Sequence, residues 1–162
     1  MKNTTVKICR AGIIAGLYTA LSLLFQPISF GAVQFRIAEI LTVLPLFYFE
    51  SVPALFIGCL LSNVFGLGVY DMIIASLSTL VASLLTYLIG KKIKNVRLKF
   101  FVGVLPQIVL NAFLVPVVLY LSGLNANGYF IQVLIVAGGE IAVLYTLGVA
   151  FYFAFIKFYN NK

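Results

Sequence analysis

The stretch VLIVAGGEIAVLYTL, residues 133–147, is a run suited to lipid with one carboxyl group, Glu140, set inside it. A charged side chain at the bilayer centre costs about 2.5–3.5 kcal/mol on insertion scales, so the helix that carries it needs protein or a ligand around that position. Gly138 and Gly139 stand just before it. Glycine weakens a helix, and membrane helices keep it where another backbone or a ligand comes close. One segment thus predicts a bundle of membrane helices with a polar interior.

The rest of the chain agrees. Of 162 residues, 63% are hydrophobic and 9% are charged, against about 25% charged in a soluble domain. The composition predicts an all-α integral membrane protein, a single transmembrane domain over 1–162. Such a length holds one compact bundle and no separate soluble catalytic domain. Histidine is absent and only four carboxylates are present. That pattern disfavours a metal-dependent or triad hydrolase and calls for no cofactor and no metal. Cys9 and Cys59 read as small buried hydrophobes rather than a disulfide. The one Gly-Lys pair, Gly90–Lys91, lacks the glycine-rich lead and the Ser/Thr of a phosphate-binding loop.

Apolar runs cover 8–25, 37–49, 52–67, 72–90, 100–121 and 129–159. About 20 helical residues cross a bilayer core, so the second and third runs are short. Gln26 to Gln34, with Pro27 and Gly31, ends the first; Ser51, before Pro53, is a plausible N-cap for the third. Gly/Asn turns at 66–71 and 122–128 bound the fourth and fifth. With six crossings, Lys2, Lys7, Arg10, the five basic residues from Lys91 to Lys99, Lys157 and Lys162 fall on one face, and Arg36 alone on the other. The positive-inside rule makes the crowded face cytoplasmic, with both termini there. The charge of +7 therefore reads as topology in the plasma membrane and not as nucleic-acid binding. Reading the start as a cleaved leader instead would put the remaining basic segments on opposite faces.

Depth then places the polar residues. Glu140 lies about 16 Å down the last helix, Asn111 at a similar depth with Gln107 one turn away, and Asn63 near mid-membrane. Tyr70 and Asp71 start the fourth helix, which carries Ser76, Ser78 and Thr79. Arg36 and Glu39 share the outer rim, where an ion pair between them is expected, and Asp71 suits a helix N-cap. Asn63 and Asn111 either bridge helices or contact a ligand. Glu140 has no basic residue at its depth, so it is either protonated or faces a cationic or hydrogen-bond-donating ligand. The arrangement resembles a cavity open to the outside. In the first helix, Ala11 and Ala15, and Gly12 and Gly16, stand four apart, a spacing that admits a close helix neighbour, within the bundle or in another subunit.

The segment QFRIAEILTVLPLFYFESVPALFIGCLLSNVFGLGVYDMIIASLSTLVASLLTYLIGKK, residues 34–92, resembles the QueT family. Arg36 to Glu39, Thr42 to Pro45, Gly58-Cys59 with Asn63, and Asp71 followed by Ser76 and Thr79-Leu80 carry the likeness. Pro106, Asn111 and Gly139–Glu140 extend it more weakly. The resemblance implies a substrate-binding S component of an energy-coupling factor (ECF) transporter and no enzymatic activity. It also implies a six-helix bundle and an ECF module of a transmembrane coupling protein plus two ABC ATPases. It implies docking of that module through Ala11–Ala15, with Gly12 and Gly16 extending the face, and toppling of the bundle during transport. The implied cargo is a queuosine precursor such as preQ1, preQ0 or queuine, a 7-deazapurine.

For that cargo, Glu140 is the first candidate to accept from the guanine-like N–H edge, with Glu39 or Asp71 for an ammonium. Asn111, Asn63 and Gln107 offer amide pairing; Arg36 lines the same rim, and Tyr70, Tyr129 or Phe130 offer stacking. The alternatives are an S component for another vitamin-like cargo, or a small channel that conducts ions without a tight ligand.

Overall fold

The computed structural model describes residues 2–26, 36–64, 69–123 and 128–160. Helix α1 is Lys2–Leu24, α2 is the 3-10 helix Ile37–Leu46, and α3 is Ser51–Asn63. Helix α4 opens with a π-helical turn, Asp71–Ala75, and continues as Ser76–Lys92. Helix α5 joins Val96–Gly103 to Leu105–Leu121 through Val104. Helix α6 runs from Tyr129–Val143 through a π-helical turn, Leu144–Gly148, into Val149–Asn160. Among the described residues, Thr4–Leu24, Asp71–Lys92, Val96–Leu121 and Tyr129–Phe158 are long and apolar enough to cross a membrane, while α2 and α3 are shorter. The expected breaks at Pro27 and Gly31 and the turn residues at 66–68 and 124–127, with Lys162, lie outside the described residues.

The second apolar run is the main departure from sequence expectation. Residues 37–49 read as a helix short enough to be tilted, broken or partly re-entrant, and 37–46 wind as 3-10. Pro45 has no N–H to give to Leu41, and Thr42 Oγ1 donates to the Glu39 carbonyl at 2.6 Å, which favours the tighter turn. At about 2.0 Å rise per residue, ten such residues reach about 20 Å, further than the same chain as α-helix. Nearly every side chain on α2 is buried, because the segment packs against α1, α3, α4, α5 and α6 rather than lipid. Two apolar clusters hold it. Leu41 and Leu44 pack with Ile14, Tyr18 and Leu55; Val43 and Leu46 pack with Phe100, Ile108 and Tyr152.

Close approaches set the register. Leu46 lies across Gly90 and Gly103, where an added Cβ would stand 3.1 and 2.5 Å from its Cδ2. In α5, Gln107 N–H reaches back to Val104 instead of Gly103, and the Gly103 carbonyl accepts from Thr86 Oγ1 at 2.7 Å. Helix α3 meets α1 at Gly58, where a Cβ would sit 2.9 Å from both the Ala15 carbonyl oxygen and Tyr18 Cβ. Thr19 Oγ1 lies 3.2 Å from the Gly58 carbonyl across the same seam. Replacing Gly58 by alanine should therefore cost about 1–3 kcal/mol, since backbone and not a flexible tip blocks the new methyl. Thermal unfolding in detergent reads this; an unchanged midpoint would mean that α1 and α3 are free to separate.

The ends of the bundle differ in charge. Arg10 bonds Glu50 at 2.6 Å and lies over the Tyr48 ring at 3.8 Å. Ser51 does not cap α3: its hydroxyl donates backward to the Tyr48 carbonyl at 2.5 Å. Lys91, Lys94 and Lys99 cluster with Phe47 and Ile156, at the end of α2 away from Arg36. Cys59 is buried, whereas Cys9 is exposed on α1, contrary to the expectation that both are buried; both are free thiols.

Candidate functional site

The polar residues of α2, α5 and α6 meet in the buried middle of the bundle. Glu39 is completely buried, because the 3-10 winding of α2 turns it inward. Tyr18 OH donates to its Oε1 at 2.9 Å, and Gln107 Nε2 to its Oε2 at 2.7 Å. One helical turn along α5, Asn111 Nδ2 donates to Glu140 Oε1 at 2.8 Å, and Asn111 Oδ1 accepts from Ser78 Oγ at 3.1 Å. A chain of contacts thus runs from α1 through two carboxyl groups and two amides to α6. The π-helical turn of α6 begins four residues after Glu140; such turns recur at functional sites.

A second group closes one side. Arg36 Nη2 bonds Asp71 Oδ1 at 3.1 Å, with both side chains buried. Asn63 Nδ2 lies 3.3 Å from both the Asp71 carbonyl and Cys59 Sγ. Thr79 Oγ1 approaches the same sulfur at 3.4 Å. These contacts join α2, α3 and α4 where α2 begins.

What the network leaves unsatisfied indicates what it can bind. Glu140 Oε2, Gln107 Oε1 and Asp71 Oδ2 are buried without a protein hydrogen-bond partner, as are the Ser76 and Ser83 hydroxyls. Buried polar atoms are nearly always paired, and each orphan costs about 1–3 kcal/mol. With the carboxyl groups ionised, these three carboxyl and amide oxygens are acceptors only. They suit a ligand rich in N–H groups. The two oxygens of Glu39 are both occupied, so Glu39 holds the frame while Glu140 has an oxygen to offer. Among the described residues no group of three His, Cys, Asp or Glu side chains is placed to hold a metal ion.

The structure gathers Glu39, Gln107, Asn111 and Glu140 into one network, and Arg36, Asp71 and Asn63 into its neighbour. Three expectations change. Glu39 is in the core and not on a rim. Arg36 pairs with Asp71 at 3.1 Å, while the two oxygens of Glu39 accept from Tyr18 and Gln107. Asp71 serves that pair and caps no helix. Tyr70 is 52% exposed and does not face the network. Phe130 is 80% exposed, and Tyr129 OH bonds the Phe113 carbonyl in an exposed position, so neither stacks over these groups. Tyr18 is the member of the network that sequence reasoning missed. Its signal was its place four residues after Ile14 and three after Ala15, on the buried stripe of α1.

Ala15 is buried against Gly58, and Ala11 is half-buried beside it. Their seam belongs to α1 and α3 of the same chain. Gly12 and Gly16 instead have open space where a side chain would go.

A helical bundle with apolar spans and buried polar side chains in its interior is a multi-pass membrane protein of the cell membrane. The QueT transporter family model matches residues 8–157, and the chain belongs to that family, one of transporters and not of enzymes. Over 96 residues, 58% of the chain, it is 35% identical to a protein of Lactococcus lactis subsp. cremoris (strain MG1363) called Queuosine precursor transporter QueT. That match spans 57% of the relative's own length. No solved structure matches the chain.

Proposed function

We propose that this protein is the substrate-binding S component of an ECF-type importer and takes up a queuosine precursor, a 7-deazapurine of the preQ1, preQ0 or queuine type. The observation that carries the reading is the set of buried acceptors without partners, Glu140 Oε2 and Gln107 Oε1 foremost. The guanine-like edge of a 7-deazaguanine offers adjacent N–H donors, and a carboxylate takes two parallel donors well. The name of the Lactococcus lactis relative points to the same cargo.

In this reading the whole chain is one transmembrane domain, and all six helices, α2 and α3 included, form the bundle. Both termini lie in the cytoplasm with Arg10 and Lys91–Lys99, following the positive-inside rule. The site closes with its acceptors buried and opens for loading from outside. The coupling protein, with two ABC ATPases behind it, docks on α1. Since Ala15 is committed to α3, the open Gly12 and Gly16 positions form the docking face, and Ala11 and Ala15 set the helix that presents it.

Ligand-induced stabilisation of the purified chain in detergent tests the cargo. A ligand at one hundred times its Kd adds about 2.7 kcal/mol to stability. We expect preQ1, preQ0 or queuine to raise the melting temperature, and riboflavin, biotin and thiamine to leave it unchanged. A panel in which no deazapurine acts would remove the proposed cargo and leave the bundle intact.

A further inference from the structure

Away from the polar network, at the end of α2 opposite Arg36, lies a cavity of about 410 Å³. Leu46, Phe47 and Ile156 give it an apolar wall, and Lys91, Lys94 and Lys99 line it from the α4–α5 connection. Lys99 Nζ stands 5.5 Å from the Phe47 ring centre and Lys91 Nζ 4.8 Å from that of Tyr87. Aromatic faces of this kind hold the ammonium groups in place but do not neutralise them. The chain has four carboxylates. Glu39, Asp71 and Glu140 are buried in the bundle, and Glu50 is taken by Arg10. None lines the cavity.

We propose that this cavity holds the phosphate-bearing headgroup of an anionic phospholipid, with the lysines on the phosphate and an acyl chain against the apolar wall. Charge complementarity argues for the anion, since three cations share one concavity that no carboxylate among the described residues lines. Position argues for the lipid as its source. The cavity sits where α4 ends and α5 begins, at the level at which two apolar spans reach the membrane surface. Basic pockets between membrane helices take anionic headgroups in this way. The inference is independent of the cargo and rests on the proposed orientation only for the leaflet concerned. An occupant would also touch Leu46 and Phe47, the end of the 3-10 helix whose other end carries Glu39.

Native mass spectrometry of the detergent-purified chain with added phosphatidylglycerol or phosphatidylcholine tests this. We expect a retained phosphatidylglycerol adduct in clear preference to phosphatidylcholine. Each lysine neutralised should weaken that preference about fivefold, so K91Q/K94Q/K99Q abolishes it. The control K7Q/R97Q/K157Q, which removes three charges outside the cavity, should keep it, as should K91R/K94R/K99R. Lys94→Gln alone, at an exposed position, should show a partial loss, so the test does not depend on the triple variant folding. Equal binding of both lipids, equal loss in the control, or an undiminished adduct in K91Q/K94Q/K99Q would overturn the proposal. Displacement of the lipid by excess inorganic phosphate would overturn it too, by making this a site for a small anion. Ligand stabilisation by a deazapurine is a separate readout, so failure here and failure of the cargo reading are distinguishable.

Discussion

Glu140→Gln should lower the affinity for a 7-deazapurine about a hundredfold or more, while the protein melts within a few degrees of the wild type. The substitution keeps the volume and the oxygen that accepts from Asn111 Nδ2 at 2.8 Å. It replaces Oε2, the oxygen without a protein partner, by an NH2 group. An acceptor that faces the donors of the ligand becomes a donor facing donors. Losing one side of a buried charged hydrogen bond costs about 2–5 kcal/mol in binding, and here a repulsive contact is added. Glu140→Ala differs in a telling way. It also strips Asn111 of its acceptor, so both stability and affinity should fall. Isothermal titration of the two variants with preQ1, beside their thermal unfolding, separates the two roles. An affinity for Glu140→Gln within about threefold of wild type would show that Oε2 does not meet the ligand.

Much of this site was legible because membrane burial makes polar residues conspicuous. Glu140, Asn111 and Gln107 stand out in apolar runs, and the helical rise alone puts the first two at one depth. The i, i+4 spacing of Gln107 and Asn111 correctly put them on one face, and the structure uses both. What sequence could not supply was the winding of residues 37–46. Read as an α-helix, that run leaves Glu39 near Arg36 on a rim. As a 3-10 helix buried on nearly all sides, it turns Glu39 into the core and frees Arg36 for Asp71. Such long 3-10 runs are uncommon, and tertiary packing sustains this one where local propensity does not. The small residues of α1 misled for a related reason. Spacing shows that a close neighbour exists, but Gly58, 43 residues after Ala15, decides that the neighbour of Ala15 is α3.

Arg36→Met should destabilise the protein by about 3–5 kcal/mol, and Asp71→Asn made on top of it should recover much of that loss. The methionine keeps the length and apolar stem of arginine but removes the charge that faces Asp71 Oδ1 at 3.1 Å. Asp71 is completely buried and its Oδ2 already has no partner. Without the guanidinium it becomes an uncompensated carboxylate in a low-dielectric setting, and this, more than the lost attraction, sets the cost. Neutralising the carboxylate as well removes that cost, since an asparagine loses only a hydrogen bond. A buried pair is weak evidence for stability in itself, and a matched neutral replacement is often tolerated. Its use here is positional. The pair holds the start of α2 against α4, so the 3-10 helix is anchored one turn before Glu39, in reach of Tyr18 and Gln107. A double-mutant cycle on thermal unfolding measures the coupling, and a value under about 0.5 kcal/mol would mean that the two residues do not act as a pair. Deazapurine affinity in the double variant then tests the anchor itself. A fall in binding would mean that α2 depends on the pair or that Asp71 Oδ2 meets the ligand; if packing around Leu41, Val43 and Leu44 suffices, affinity is kept and the pair serves stability alone.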